Sequence, residues 1–118
     1  MTRIELDPNL NLAPQTAKSI HLMGVCGTAM GSLAGMLKES GYEVGGSDQN
    51  VYPPMSDFLA DQGVAVAAGF SPDNLDPRPD LVIVGNVITR QNPEVPRLKE
   101  LGLPYLSLPQ ALRHFFLR

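Results

Sequence analysis

A single cysteine, Cys26, cannot form an internal disulfide, so nothing points to an oxidising compartment. No stretch approaches the ~18 consecutive apolar residues of a membrane span. Asp7, Pro8, Asn9, Asn11 and Gln15 interrupt the region where a signal peptide needs a continuous apolar run. Together these absences predict a cytoplasmic location and no membrane partner. An excess of positive charge is missing too. The formal net charge is −3, which argues against broad, non-specific attraction to nucleic acid. Any anion site in this chain must be local.

What is present describes one ordinary domain. The 118 residues are 43% hydrophobic and 18% charged, enough to bury a core without metal or disulfide staples. Residues 1–18 are polar, carry two prolines and hold no sustained period, which predicts a loose leader or a short added strand. From Lys18 onward the pattern alternates. Residues 20–23 form an apolar run ended by Gly24, and 32–40 place Leu33, Met36 and Leu37 at helical spacing before Gly41. Strands are expected at 42–46 and 64–68 around a helix at 55–62, with a proline- and aspartate-rich loop at 69–80. The unbroken run Leu81, Val82, Ile83, Val84 reads as a strand covered on both faces, hence central. A helix at 94–101 begins after Asn92-Pro93, a cap residue followed by proline. Residues 103–106 make an edge strand despite Pro104, and 108–117 a closing helix. Strands alternating with helices at these lengths predict a Rossmann-like, doubly wound α/β domain, with a mainly parallel five-stranded sheet and helices on both faces.

The first turn carries the chemistry. In the dinucleotide fingerprint G-x-G-x-x-G/A, glycines permit a tight turn and close approach of backbone to a pyrophosphate. Setting Gly24 at the first position puts Cys26 at the second and Ala29 at the third, with an extra Gly27. Such a cluster serves either an anion or close strand–helix packing. The strand before it and the helix after it favour the anion, because a helix beginning near Gly27 aims unpaired N–H groups and its positive end at the space above the strand. Asp48 follows Gly24 by 24 positions, close to the ~20 expected of a carboxylate that accepts from ribose hydroxyls; a turn cap is the alternative. Cys26 reads as a small residue of the turn, since neither His21 nor His114 is placed to act as its base. Asn86, Thr89 and Arg90 follow the central strand, either beside a ligand or as solvated loop residues.

The segments "HLMGVCGTAMGSLAGMLKESGYEVGGSDQNVYPPMSDFLADQGV", "DLVIVGNVITRQNPEV" and "LPYLSLPQAL" resemble the N-terminal domain of the Mur ligase family. The likeness runs from about Ser19 to the C-terminus. Its most specific parts are the G-x-C-G-T-x-M-G turn, "GSDxNVYPPMS" and "GNxxTRxNP". It leans to the branch that attaches a murein tripeptide in peptidoglycan recycling. The branch that adds L-alanine usually has a more glycine-rich turn and lacks "NVYPPMS".

The resemblance implies a domain at 19–118 that binds the UDP part of UDP-N-acetylmuramate rather than a nicotinamide cofactor. By the same likeness, Gly24, Val25, Cys26, Gly27, Thr28, Ala29 and Met30 hold the diphosphate and Asp48 approaches the ribose. Gly69 and Phe70 fall at the uracil loop, and Asn86 and Thr89 beside the diphosphate end. A complete ligase needs ATP and Mg²⁺, bound through a G-x-x-x-x-G-K-[ST] loop. No Gly-Lys pair occurs here, so the ATPase and C-terminal domains are expected elsewhere and this chain is expected to be inactive alone. A dehydrogenase nucleotide domain and a stand-alone nucleotide-sensing module are the alternatives. Neither the ligated peptide nor the oligomeric state is legible at this level.

Overall fold

A computed structural model describes residues 6–117. Its strands are β1 (Ser19–Met23), β2 (Glu43–Asp48), β3 (Ala65–Ala68), β4 (Leu81–Val84) and β5 (Tyr105–Ser107). They form one sheet of order β3-β2-β1-β4-β5, parallel throughout. The helices are α1 (Thr28–Glu39), α2 (Met55–Asp61), α3 (Glu94–Leu101) and α4 (Leu108–Phe115), with a 3-10 turn at Pro72–Leu75. β1 is the middle strand, and the predicted central run, β4, lies beside it.

Both faces of the sheet are covered, which is why β4 shows no polar alternation and why His21 of β1 is buried beside its apolar neighbours. Ile20, Leu22, Leu81 and Ile83 point to one side, where Leu33 and Leu37 of α1, Leu59 of α2 and Ala111 of α4 meet them. Met23 and Val82 point to the other, against Leu75, Val95 and Leu98. Each such fully buried aliphatic side chain contributes about 1.5–3 kcal/mol. This two-sided core is the predicted doubly wound architecture.

Boundaries differ from expectation for local reasons. α1 begins at Thr28, five positions before its first periodic leucine, because extended Gly27 serves as its N-cap. Two of its glycines seat α2: a Cβ on Gly31 would lie 2.4 Å from Met55 Sδ, and one on Gly35 3.0 Å from Phe58 Cζ. β2 runs two residues past Gly46. β5 starts at Tyr105 because Leu103 still belongs to the end of α3, its N–H donating to the Leu98 carbonyl (3.3 Å) behind left-handed Gly102. α4 starts on a capping box missed in the sequence, Ser107 with Gln110. It stops at Phe115, where the Phe116 and Leu117 N–H groups both turn onto the Leu112 carbonyl.

Between residues 6 and 18 there is neither a loose tail nor an added strand. Pro8–Leu10 forms a 3-10 turn, and Asn11 exchanges side-chain hydrogen bonds with Gln110 (2.9 and 2.8 Å) while donating to the Tyr105 carbonyl. This segment is docked on β5 and α4.

Candidate functional site

β1, β2 and β4 end level with one another, Met23 pairing with Ser47 on one side and Val84 on the other. Connections leave β1 and β4 in opposite directions, so the space above them is the topological switch point of an open α/β sheet. Gly24 turns the chain there with φ +87°, a value that side-chain-bearing residues rarely adopt. The N–H groups of Gly24 and Val25 donate to the Ser47 carbonyl (2.8 and 3.1 Å). Gly46 permits this approach: a Cβ there would stand 2.6 Å from Val25 Cβ and 2.7 Å from the Leu22 carbonyl oxygen.

Asp48 completes the turn. One carboxylate oxygen accepts from the Cys26 N–H (2.9 Å) and the other from the Asn50 N–H (3.0 Å). Burial, and then the Asp48 charge, push the Cys26 thiol above its usual range, so the turn holds a thiol rather than a nucleophilic thiolate. Gly27 is a different kind of glycine. It is exposed with φ −66°, and a Cβ would meet nothing nearer than Gly24 O at 3.6 Å. Neither backbone angle nor packing demands glycine at this position.

Two adjoining clefts open above the strands. The first, about 380 Å³, is lined by Gly24, Cys26, Gly27, Thr28 and Asp48 on one side and by the 52–55 segment on the other. The second, about 460 Å³, is lined by Asp48, Phe70, Ile88, Thr89 and Asn92 among others. Asp48, Asn50 and Val87 belong to both. The first turn of α1 borders the first cleft without a side-chain cap, leaving N–H groups and the positive helix end for an anion.

The predicted site residues therefore divide. Gly24, Cys26, Gly27, Thr28 and Asp48 line the first cleft, and Asp48, Phe70 and Thr89 the second. Val25 and Met30 are buried in the core under the turn. Ala29 and Asn86 are exposed, and neither they nor Gly69 line these two clefts. The Gly69 N–H donates to the Asp48 carbonyl (2.7 Å), so its part is to join the loop to β2. Residue-level reasoning named no wall for the first cleft, although Tyr52, Pro53, Pro54 and Met55 supply it; the signal was the "NVYPPMS" segment.

It also missed Glu94, which is 0% exposed. Its Oε1 accepts from the Ser47 hydroxyl (2.8 Å) and from His21 Nε2 (3.0 Å). Its Oε2 accepts from the Asn74 side-chain amide (2.8 Å) and the Ser71 N–H (3.2 Å). Burial opposes its ionisation, but the hydrogen bonds from His21, Asn74 and Ser47 outweigh that and hold the carboxyl below the usual range. The Ser47 proton goes to the carboxylate, so Nε2 of His21 carries a hydrogen. Among the described residues no group of three or more His, Cys, Asp or Glu could hold a metal ion, and no helix is long and apolar enough to cross a membrane.

The fold is that of a doubly wound α/β domain with two adjoining clefts at its switch point. The family model described as "Mur ligase family, catalytic domain" matches residues 19–118, and the chain belongs to the Mur ligase family. It is 52% identical over 99 residues to the UDP-N-acetylmuramate–L-alanyl-gamma-D-glutamyl-meso-2,6-diaminoheptandioate ligase of Escherichia coli (strain K12), covering 84% of this chain and 22% of that protein. Against the UDP-N-acetylmuramate–L-alanine ligase of Alkaliphilus metalliredigens the identity is 35%, covering 86% and 22%. The crystal structure of a murein peptide ligase from Psychrobacter arcticus 273-4 superposes with a TM-score of 0.80 at 44% identity, covering 83% of this chain and 20% of that one. The chain thus spans 22% of the length of the two curated relatives.

Proposed function

We propose that this chain binds the UDP part of UDP-N-acetylmuramate within an ATP-dependent ligase. That ligase joins the murein peptide L-alanyl-γ-D-glutamyl-meso-diaminopimelate to the nucleotide sugar, in the cytoplasm, during peptidoglycan recycling. One observation carries the binding role. Gly27, required neither by φ nor by packing, lies bare at the uncapped start of α1 on the first cleft, which suits close approach of a diphosphate to backbone N–H groups. The first cleft meets the second at Asp48, consistent with ribose at Asp48 and uracil toward Phe70. In this reading Cys26, Gly27 and Thr28 face the diphosphate. Val25, Ala29 and Met30 shape the turn from behind, Gly69 fixes the uracil loop, Thr89 lines the second cleft beside the nucleoside, and Asn86, expected at the diphosphate end, lines neither cleft. The tripeptide preference is supported by the higher identity to that ligase than to the L-alanine ligase.

The described residues offer no Gly-Lys pair for ATP phosphates and no group of three or more His, Cys, Asp or Glu for a metal ion. Activation and amide-bond formation are therefore assigned to other parts of the ligase, and the chain alone is expected to show no ligase or ATPase activity. Calorimetric titration with UDP-N-acetylmuramate, UDP and NAD at one salt concentration tests the proposal. The nucleotide sugar should bind modestly and NAD more weakly, because contacts from neighbouring domains are missing. Tighter NAD binding would overturn the proposal in favour of a dehydrogenase domain.

A further inference from the structure

The second cleft is built from segments that meet nowhere else in the sequence. Asp48 follows Ser47, Phe70 precedes Ser71, and Asn92 accepts the Glu94 N–H on its side-chain oxygen (2.9 Å). Ser47, Ser71 and Glu94 are all members of one buried hydrogen-bonded cluster. We infer that Glu94 is a positioning residue for the second cleft, its carboxylate clamping together the chain segments that carry Asp48, Phe70 and Asn92. The inference rests on the reading above that this cleft receives the nucleoside.

The clamp acts unequally. Ser47 already lies in β2, where ladders to β1 and β3 fix its backbone. The 69–76 segment has no ladder. Its C-terminal end is held by buried Leu75 and by the Asp76–Arg97 ion pair (3.2 Å), while the ties nearest Phe70 are the Asn74 amide, shared between the Gly69 carbonyl (2.9 Å) and Glu94, together with the Ser71 N–H on Glu94 and the Gly69 N–H on the Asp48 carbonyl. Loss of the carboxylate should therefore free Phe70 far more than the glycine turn, which hangs on the Ser47 carbonyl and Asp48.

The chemistry of the cluster also separates the variants. All four neighbours of the carboxylate present hydrogens, so Glu94→Ala takes the acceptor from the Ser47 hydroxyl, the Ser71 N–H and an Asn74 N–H and leaves His21 Nε2 only the Ser47 oxygen (3.1 Å). Glu94→Gln can keep the clamp. Its carbonyl takes the fixed Ser71 and Asn74 donors, while its amide faces Ser47, whose hydroxyl can rotate, and His21, whose tautomer can reverse.

The test titrates the unaltered chain, Asn74→Ala, Glu94→Ala and Glu94→Gln with UDP and with inorganic pyrophosphate, and follows amide hydrogen exchange alongside. Asn74→Ala and Glu94→Ala should weaken UDP by about tenfold or more, the ratio that accompanies loss of a charge-assisted hydrogen bond. Pyrophosphate should stay within about twofold, with faster exchange confined to the 69–76 segment. Glu94→Gln should return UDP to near the unaltered affinity. Equal losses for UDP and pyrophosphate, or unchanged UDP affinity and exchange in Asn74→Ala, would overturn the inference. Should Glu94→Ala not fold, Asn74→Ala carries the test. If the unaltered chain binds no UDP, the functional proposal fails, and exchange alone decides the clamp: protection of 69–76 unchanged in Asn74→Ala overturns it, and selective loss supports it.

Discussion

Gly27→Val separates the ligand from the fold. At φ −66° and ψ 148° the position is extended, which a β-branched residue adopts readily. A Cβ there would sit 3.6 Å from Gly24 O and 4.0 Å from Met30 Cβ, ordinary contact distances. Valine is a poorer N-cap than glycine by about 0.5–1 kcal/mol. Against this, removing a glycine restricts the unfolded chain and stabilises by about 0.4–1 kcal/mol. The two terms nearly cancel, so Tm should move by no more than ~4 °C, given ~4–8 °C per kcal/mol for a domain of this size. Binding has no such cancellation. Two methyl groups beside the cleft keep a diphosphate from the first-turn N–H groups, and each charged hydrogen bond lost costs about 1.5–3 kcal/mol, at least tenfold in Kd. Calorimetry with UDP and a thermal melt decide the matter. UDP affinity within about twofold of the unaltered chain would show that this turn is not the anion site, and a melt lowered by more than ~8 °C would make Gly27 structural.

Gly46→Ala should do the reverse, costing about 1–3 kcal/mol or more in a denaturant melt, because its Cβ would stand 2.7 Å from a backbone carbonyl. Asp48→Ala should weaken UDP by about 1–3 kcal/mol and its 2′-deoxy analogue less; equal losses would leave Asp48 only as a brace for the turn. At neutral pH, Cys26 should be alkylated more slowly than a free thiol, since burial and the Asp48 charge raise its pKa, and Asp48→Asn should speed the reaction; a rate unchanged by that substitution would refute the electrostatic part. The folded Glu94 carboxyl lies below its usual value, so its contribution is complete above the unfolded pKa of about 4.3 and is lost as pH falls through the folded value. Acid melts should therefore show a shallower loss of stability for Glu94→Gln than for the unaltered chain.

Most of the fold was legible because a sheet covered on both sides leaves a plain trace: short apolar runs, helical spacing between them, and Gly41 and Gly63 at the stops. The errors cluster where a glycine does something other than stop an element. Gly46 reads as a strand end, yet β2 passes through it, since what excludes a side chain there is Val25, 21 positions earlier. Likewise nothing local explains why Gly31 and Gly35 lie inside a helix, and they are the seat of α2. The docking of residues 6–18 was illegible for a related reason. Its partners, Tyr105 and Gln110, are more than 90 positions away, and no local pattern announces them.

Half of the site was legible and half was not, along a physical line. Backbone-shaped parts, the turn at Gly24 and the carboxylate ending β2, follow from φ and spacing. Glu94 does not, because one acidic residue in a helix's first turn is ordinary capping composition, and its donors come from positions 21, 47, 71 and 74. The unusual glycine spacing now has a structural account. Where the dinucleotide fingerprint has its second glycine, this chain has Cys26, whose N–H is spent on Asp48 (2.9 Å). The Gly27 N–H is taken as well, by the Gly24 carbonyl (3.3 Å), so the N–H groups that a ligand would meet are displaced into the first turn of α1, with Gly27 leaving the approach to them free of a side chain. Asp48 accepts one backbone N–H on each oxygen, and a carboxylate oxygen has a second lone pair. Bracing the turn and receiving a hydroxyl from a ligand are therefore compatible roles for the same group, and the carboxylate that fixes the glycine turn also marks the boundary between the two clefts.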